Sequence, residues 1–176
     1  ARACGSARRA PRSAGGCGPP ARALVAIVVL ALLRPASAFQ PSSRTELKTA
    51  VDEWCAGTSP GSYGGEHISN WDTVLITDMS NLFHLKTTFN DDISSWDTAS
   101  VTTMYRTFRG ASAFNQPLGS WNINSVTTMN SMFRYTTAFN QYLCWDISEV
   151  ETKEMFYNSP GSADCPPSPG MKSLPQ

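Results

Sequence analysis

Apolar and aromatic side chains recur along this chain at an interval close to 25 residues. The clearest copy runs from Ile93 to Pro117, and its neighbours carry Trp, Met and Phe in the same columns. Such columns predict stacked repeats, because each copy can bury its apolar side chains against the copies before and after it. The predicted buried spine comprises Trp71, Trp96, Trp121, Trp145, Met79, Met104, Met129, Phe83, Phe108, Phe133, Phe156, Phe89, Phe114 and Phe139.

The pattern within a copy predicts one short helix and one short strand. Thr77, Thr102 and Thr127 each stand two residues before the column Met, where a Thr N-cap followed by apolar residues at helical spacing indicates a helix. Residues 93–96 and their equivalents are the best candidates for a parallel strand. The predicted fold is therefore α/β, with about four 25-residue turns that each contain a strand and a helix.

The segments on either side of the repeats are predicted to close the two ends of the stack. The sequence Ser43-Arg44-Thr45-Glu46 fits a capping box, and the apolar residues after it recur at helical spacing, so residues 39–65 are assigned to a capping helix and a linker. The four copies occupy residues 66–165, and residues 166–176 form a Pro-rich tail that is not expected to fold.

Residues 1–38 have the pattern of a secretory signal. Arginines precede the apolar run Ala23 to Leu33, and Ala36-Ser37-Ala38 provides a cleavage site. Eleven apolar residues fall short of the roughly 20 that a membrane-spanning helix needs, so no stable membrane span is expected after cleavage. We therefore expect a secreted or surface-displayed protein. The alternative is a plastid location, because the residues around Phe39 resemble the bipartite presequences of some algal plastids.

Cysteine placement is consistent with an oxidising compartment. Secretion would allow Cys144 and Cys165, which flank the last copy, to form a disulfide bond that closes a loop of about 20 residues. Cys55 lies near the opposite end of the stack and is predicted to stay free, because thiols several turns apart cannot be bridged.

The net charge of zero conceals an uneven distribution. Residues 1–38 contain six Arg and no acidic residue, which leaves eight basic residues against 14 acidic ones in the rest of the chain. An acidic body disfavours binding to a phosphate backbone, so a nucleic-acid partner is not expected.

Few residues in the chain suggest a metal site or a catalytic site. His67 and His84 are the only histidines, no Cys stands at ligand spacing from either, and no nucleophile or phosphate-binding motif occurs. We therefore expect no cofactor, no metal site and no enzymatic activity. An Asx column beside the Trp column is predicted to cap corners of the chain, with calcium binding as the alternative; its members are Asp72, Asp97, Asn122 and Asp146.

The most suggestive surface is a set of basic and aromatic residues on the outer side of the predicted helices. His84, Arg109 and Arg134 each lie 13 residues beyond a Trp, and Tyr105, Arg106 and Tyr135 lie beside them. We call these six residues the basic stripe. Arginine and aromatic rings together suit sulfated or carboxylated glycans or an acidic protein. The alternative is an ordinary solvated face.

The copies WDTASVTTMYRTFRGASAFNQPL and WNINSVTTMNSMFRYTTAFNQYL resemble the repeat of the BspA-like leucine-rich-repeat surface proteins, which include mycoplasma-lipoprotein-type domains of unknown function. The segment LKTAVDEWC and the closing Cys pair resemble the caps of eukaryotic, largely algal, members. The resemblance implies a right-handed solenoid like that of leucine-rich repeats, display at the cell surface, and adhesion or recognition in some members. It implies no catalytic residues.

Together these observations predict a secreted, monomeric, non-enzymatic repeat module that binds an extracellular protein or an anionic glycan. Two other functions remain open. One is a structural component of a cell wall or extracellular matrix. The other is a secreted hydrolase, which would need a convergent acid, base and nucleophile.

Overall fold

The computed structural model describes residues 38–166. The predicted signal, apart from Ala38, lies outside the described residues, and so does the tail from residue 167 onward. Within residues 38–166 no helix is both long enough and apolar enough to cross a bilayer.

Helix α1, Arg44–Cys55, is the α-helix of the described region, and the short 3-10 helix Ile68–Asn70 follows it. α1 begins where the capping box predicts, because the Ser43 side chain accepts a hydrogen bond from the N–H of Glu46. The Glu46 carboxylate in turn accepts from the N–H and hydroxyl of Ser42 at 2.8 Å, and these two bonds lower the pKa of Glu46. The helix start is therefore fixed by local hydrogen bonds.

The repeat copies are joined by a directional set of backbone hydrogen bonds that we call the turn ladder. In the first copy the N–H groups of Met79, Asn81, Phe83 and Leu85 donate to carbonyl oxygens of the second copy over 2.8–3.0 Å. The acceptors are Thr103, Tyr105, Thr107 and Arg109. The next two junctions repeat this arrangement, so each copy lies in a fixed register on the following one.

The residues between these donors close successive tight turns. The N–H of Leu82 bonds the carbonyl of Met79, and the N–H of His84 bonds that of Asn81. Asn81 and Leu85 have φ values of 57° and 60°, and the same columns have positive φ in every copy. A positive φ costs a non-glycine residue roughly 1–2 kcal/mol, so the bonds between copies must offset this cost.

The predicted α/β solenoid of leucine-rich-repeat type, with one strand and one helix per copy, is therefore wrong. Within the described residues the copies contain turns, no sheet and no α-helix, and parallel pairing is limited to isolated bridges such as Thr103 with Thr128. The predicted strand 93–96 is a turn closed by the Trp96 N–H on the Ile93 carbonyl. The helix prediction failed because alternate N–H groups leave the copy, and an α-helix requires each of them to bond four residues back.

The spine residues lie inside the stack. Thirteen of the 14 are buried, and Phe156 in the last copy is half-buried. The rings of Phe83, Phe108, Phe133 and Phe156 stack at 5.2, 5.4 and 5.4 Å between centroids, with planes within 5° of parallel. Each interior ring therefore contacts an equivalent ring on both sides.

Two members of the Trp column, Trp96 and Trp121, are held by their indole N–H groups as well as by packing, whereas the buried indole N–H of Trp145 has no acceptor among the described residues. Trp96 donates to the carbonyl of Ile68 at 2.9 Å, and Trp121 donates to that of Ile93 at 3.1 Å. A buried indole N–H usually has such a partner, and the preceding copy supplies it for Trp96 and Trp121.

Helix α1 packs on the first copy. Its side chains Leu47, Ala50 and Val51 are fully buried in the common core. Arg44 donates from Nε to the carbonyl of Ser80 at 3.1 Å, and its Nη2 contacts the same oxygen. Polar contacts at the other end of the helix include a 2.7 Å bond from the Trp54 indole to Asp91.

The last copy is closed on one side by a disulfide bond between Cys144 and Cys165, whose Cα atoms are 4.4 Å apart. The segment before Cys165 pairs with the last Trp corner, because Leu143 and Trp145 donate to Ser162 and Ala163. Cys55 is half-buried and has no disulfide partner among the described residues. Burial raises the pKa of its thiol.

The stacking of the Phe column predicts unequal costs for the same substitution at two positions. Phe108→Ala should lower the free energy of unfolding by about 3–5 kcal/mol, because Phe108 is fully buried between two rings. Phe156→Ala should cost only about 1–2 kcal/mol, because Phe156 has a column neighbour on one side. Urea titration of both variants measures the difference, and equal losses would contradict a stack with an exposed end.

Candidate ligand-binding surface

Two columns of polar side chains accept hydrogen bonds from backbone N–H groups. In the Asx column, Asp97 and Asp146 accept the N–H of the residue two positions on, at 2.9 and 3.1 Å, and Asp72 and Asn122 do the same. The bond from the Ser148 N–H lowers the pKa of Asp146. These contacts are corner caps. In the part of the chain that the structure describes, no cluster of three or more His, Cys, Asp or Glu side chains is placed to hold a metal ion.

The second polar column joins neighbouring copies. The side-chain oxygen of Asn90 accepts the N–H of Asn115 at 2.8 Å, and that of Asn115 accepts the N–H of Asn140 at 3.1 Å. Gln116 and Gln141 reach back to the same two Asn residues. These amides are occupied within the protein, so they are poor candidates for a ligand site.

The basic stripe lies along the turn ladder. His84, Arg109 and Arg134 occupy one column, and neighbouring copies place His84 Nε2 3.0 Å from Arg109 Nη1. Because the guanidinium can only donate, His84 Nε2 is the acceptor and the imidazole carries its proton on Nδ1. Arg106 lies over the Tyr105 ring with its Cζ 4.6 Å from the ring centroid. These four stripe residues thus form two contacting pairs.

Arg134 has a different environment from the other two arginines. Its Nη1 lies 2.8 Å from Glu154, and its Cζ lies 4.9 Å from the centroid of Tyr135 and 5.1 Å from that of Tyr157. The hydrogen bond from Arg134 to the Tyr135 hydroxyl raises the pKa of the guanidinium. Arg134 is therefore neutralised by a carboxylate and held between two rings.

Arg106 and Arg109 make no ion pair with any described residue. The Nε atoms of all three arginines, Arg134 included, are shielded from solvent and have no hydrogen-bond acceptor among residues 38–166. The terminal nitrogens of Arg106 and Arg109 are therefore the positive groups that the stripe can offer to a ligand.

A family model described as "Mycoplasma protein of unknown function, DUF285" matches residues 46–164, which include α1 from Glu46 onward and the four copies except for Cys165. The chain belongs to the DUF285 family. No curated protein and no solved structure matches the chain. The family description assigns no activity.

The structure also places two further residues, Tyr157 and Glu154, beside the basic stripe. Tyr157 occupies the column of His84, Arg109 and Arg134, because the Tyr135 N–H bonds its carbonyl just as the Gly110 N–H bonds that of Arg134. The repeat spacing could have placed Tyr157 in this column, but the last DUF285 copy is shorter than the others and its column positions are displaced. Glu154 was missed for the same reason.

The electrostatic environment of His84 follows from this arrangement. Burial lowers the pKa of the imidazole, and the positive charges of Arg109, Arg106 and Lys48 lower it further. The folded protein therefore keeps His84 neutral below the ordinary histidine pKa of about 6.5, where the unfolded chain already binds a proton. The folded protein has its full stability with respect to His84 above about pH 6.5. It loses stability as the pH falls from there toward the lowered pKa of His84 in the folded state, because the unfolded chain binds the proton first.

We predict that Arg109→Gln raises the pKa of His84, because the substitution removes the nearest positive charge. NMR titration of the His84 ring protons measures the pKa in both proteins.

A second variant tests the effect of His84 on stability. Between about pH 7 and about pH 5 the wild type should lose more stability than His84→Gln, which has no imidazole to protonate. For the first variant, an unchanged His84 pKa in Arg109→Gln would show that the contact between Arg109 Nη1 and His84 Nε2 does not form in solution.

Proposed function

We propose that the DUF285 region of this chain is a non-enzymatic recognition module that acts outside the cell and binds a sulfated or carboxylated glycan through the basic stripe. The single observation that supports this most is that Arg106 and Arg109 have no carboxylate partner among the described residues, whereas Arg134 is paired with Glu154. Guanidinium groups without a carboxylate partner are suited to oxyanions, which they bind through paired N–H donors.

The protein around Arg106 and Arg109 is acidic. Residues 38–166 contain seven basic and 14 acidic residues. Of the seven basic residues, Arg106, Arg109 and Lys153 make no ion pair within this region. Acidic surroundings would weaken nonspecific attraction of polyanions. Binding of an anionic glycan would then depend on specific contacts with Arg106 and Arg109.

The aromatic rings of the stripe favour a sugar-containing ligand. Tyr105 supports the Arg106 guanidinium, so less side-chain freedom is lost when an anion binds. Tyr135 is 38% exposed and Tyr157 is 50% exposed, and their rings meet edge to face at 5.6 Å between centroids. These rings offer apolar area beside the charged groups, and sugar rings carry the same combination of apolar faces and polar edges.

Two further observations support action outside the cell. The Cys144–Cys165 disulfide bond is of a kind that persists in oxidising compartments. The copies also resemble the repeats of BspA-like surface proteins, which is the more specific assignment that we propose within the DUF285 family.

The test compares two double variants that remove the same charge. Arg106→Gln/Arg109→Gln should weaken binding to heparin, used as the sulfated probe, by about tenfold or more, since a hydrogen bond to a charged group contributes about 1.5–3 kcal/mol. Arg134→Gln/Lys153→Gln should weaken it about twofold or less, because Arg134 is already paired. Salt elution from immobilised heparin and calorimetry with a heparin oligosaccharide provide the measurements.

Equal losses in the two double variants would show that only net charge matters, and unchanged binding would eliminate the stripe as the site. Polygalacturonate serves as the carboxylated probe and polyglutamate as the acidic polypeptide. Binding to polyglutamate without binding to either polysaccharide would reject the glycan in favour of an acidic protein.

A further inference from the structure

The turn ladder has a polarity that runs through the whole stack. At each of its three junctions, four N–H groups donate toward the following copy and four carbonyls accept from the preceding one. All twelve bonds of the ladder have the same direction, whereas bonds between copies outside the ladder, such as that from the Thr102 N–H to the Thr77 carbonyl, run the opposite way. The two ends of the ladder therefore differ in kind, because the first copy ends in acceptors and the last copy ends in donors.

The donor end is open within the described residues. The last copy continues the register of the ladder, since Met129 and Ser131 donate to Glu151 and Lys153. The next donors in this register are the N–H groups of Thr152, Glu154, Phe156 and Asn158, and none of them has an acceptor among residues 38–166. Glu154 and Asn158 have φ values of 56° and 57°, like their equivalents in earlier copies, so the turn already has the conformation that a following copy would need.

The acceptor end is covered by α1. By the same register its acceptors are the carbonyls of Asp78, Ser80, Leu82 and His84. Arg44 of α1 donates to the Ser80 carbonyl, and its guanidinium also lies 3.5 Å from the Asp78 carboxylate. Phe83 on this copy is fully buried, in the same core as Leu47 and Val51 of α1.

The geometry of the donor end restricts what can bind to it. An ordinary β-strand presents N–H and C=O groups together along each edge, so it would leave its own donors facing donors. Two donor ends cannot pair with each other for the same reason. An edge of aligned carbonyls from the same kind of turn satisfies all four N–H groups.

We infer that the open donor end is an interaction surface for the acceptor end of a second copy of this chain, and that α1 competes for that acceptor end. In the register of the ladder, the Glu154 N–H would bond the Ser80 carbonyl of the second molecule, which is the oxygen that Arg44 occupies. Phe156 would continue the ring column onto Phe83. While α1 is in place the chain is monomeric, and displacement of α1 permits head-to-tail association.

Head-to-tail contacts use two different surfaces, so they do not stop at a dimer unless the rotation closes a ring. Displacing α1 should therefore give a series of oligomers whose size rises with concentration. This inference does not depend on the proposed ligand, because the stripe arginines lie along the ladder and the new contact lies at its ends.

The test uses full-length Arg44→Ala/Val51→Asp, which removes the contact to Ser80 and places a charge on the buried face of α1. Sedimentation velocity over a range of concentrations should show a monomeric wild type and concentration-dependent oligomers of the variant. Adding Phe156→Glu should return the variant to monomer, because a carboxylate would then face the Phe83 ring. A folded variant that stays monomeric, or oligomers that persist with Phe156→Glu, would overturn the inference.

A cross-linking measurement covers the case in which the double variant loses its tertiary structure. Lys153 and Ser80 occupy the same column, so the proposed contact would place them as neighbours about 5 Å apart, within disulfide reach. In a Cys55→Ser background that also carries Ser80→Cys and Lys153→Cys, Arg44→Ala alone should raise the intermolecular disulfide yield about tenfold over the protein with Arg44. An unchanged yield would overturn the inference.

Discussion

The structure depends on a backbone hydrogen-bond ladder in which alternate peptide groups leave their own copy and bond the next one. An N–H group that bonds a neighbouring copy is not available for a helix, and the residues between such donors have to close turns. Positive φ at Asn81 and Leu85, and at their equivalents, follows from this requirement. The same ladder fixes the spacing and register of the copies, which brings the Phe rings to 5.2–5.4 Å from one another. Packing of the spine and the backbone bonds therefore support one another.

The repeat columns and the start of α1 could be read from the sequence, but the conformation within a copy could not. Apolar residues at Met79, Leu82 and Phe83 have the spacing of a helix face, and consecutive turns present the same residues to the same core. The positive φ values could not be predicted from the residue types at these positions. The column of Asn81 contains Arg106 and Ser131, and glycine occurs in the ladder only at Gly110. The direction of each N–H depends on a partner 22 or 24 residues further along the chain, and local sequence patterns contain no information about such a partner.

The candidate surface was predicted in outline because the stripe residues recur at fixed distances from the Trp column. The pairing of Arg134 with Glu154 was not predicted, since it requires the shortened last copy to be placed in register. That pairing separates the three arginines into one that is neutralised and two that are not. The proposed ligand site therefore centres on Arg106 and Arg109, beside His84 and Tyr105.

The most direct test of the ladder is the measurement of scalar couplings across hydrogen bonds by NMR in isotope-labelled protein. The ladder predicts couplings from the amide nitrogen of Asn81 to the carbonyl carbon of Tyr105, from Arg106 to Asn130, and from Ser131 to Lys153. Couplings from these amides to carbonyls four residues earlier in the same copy would indicate helices and would contradict the account.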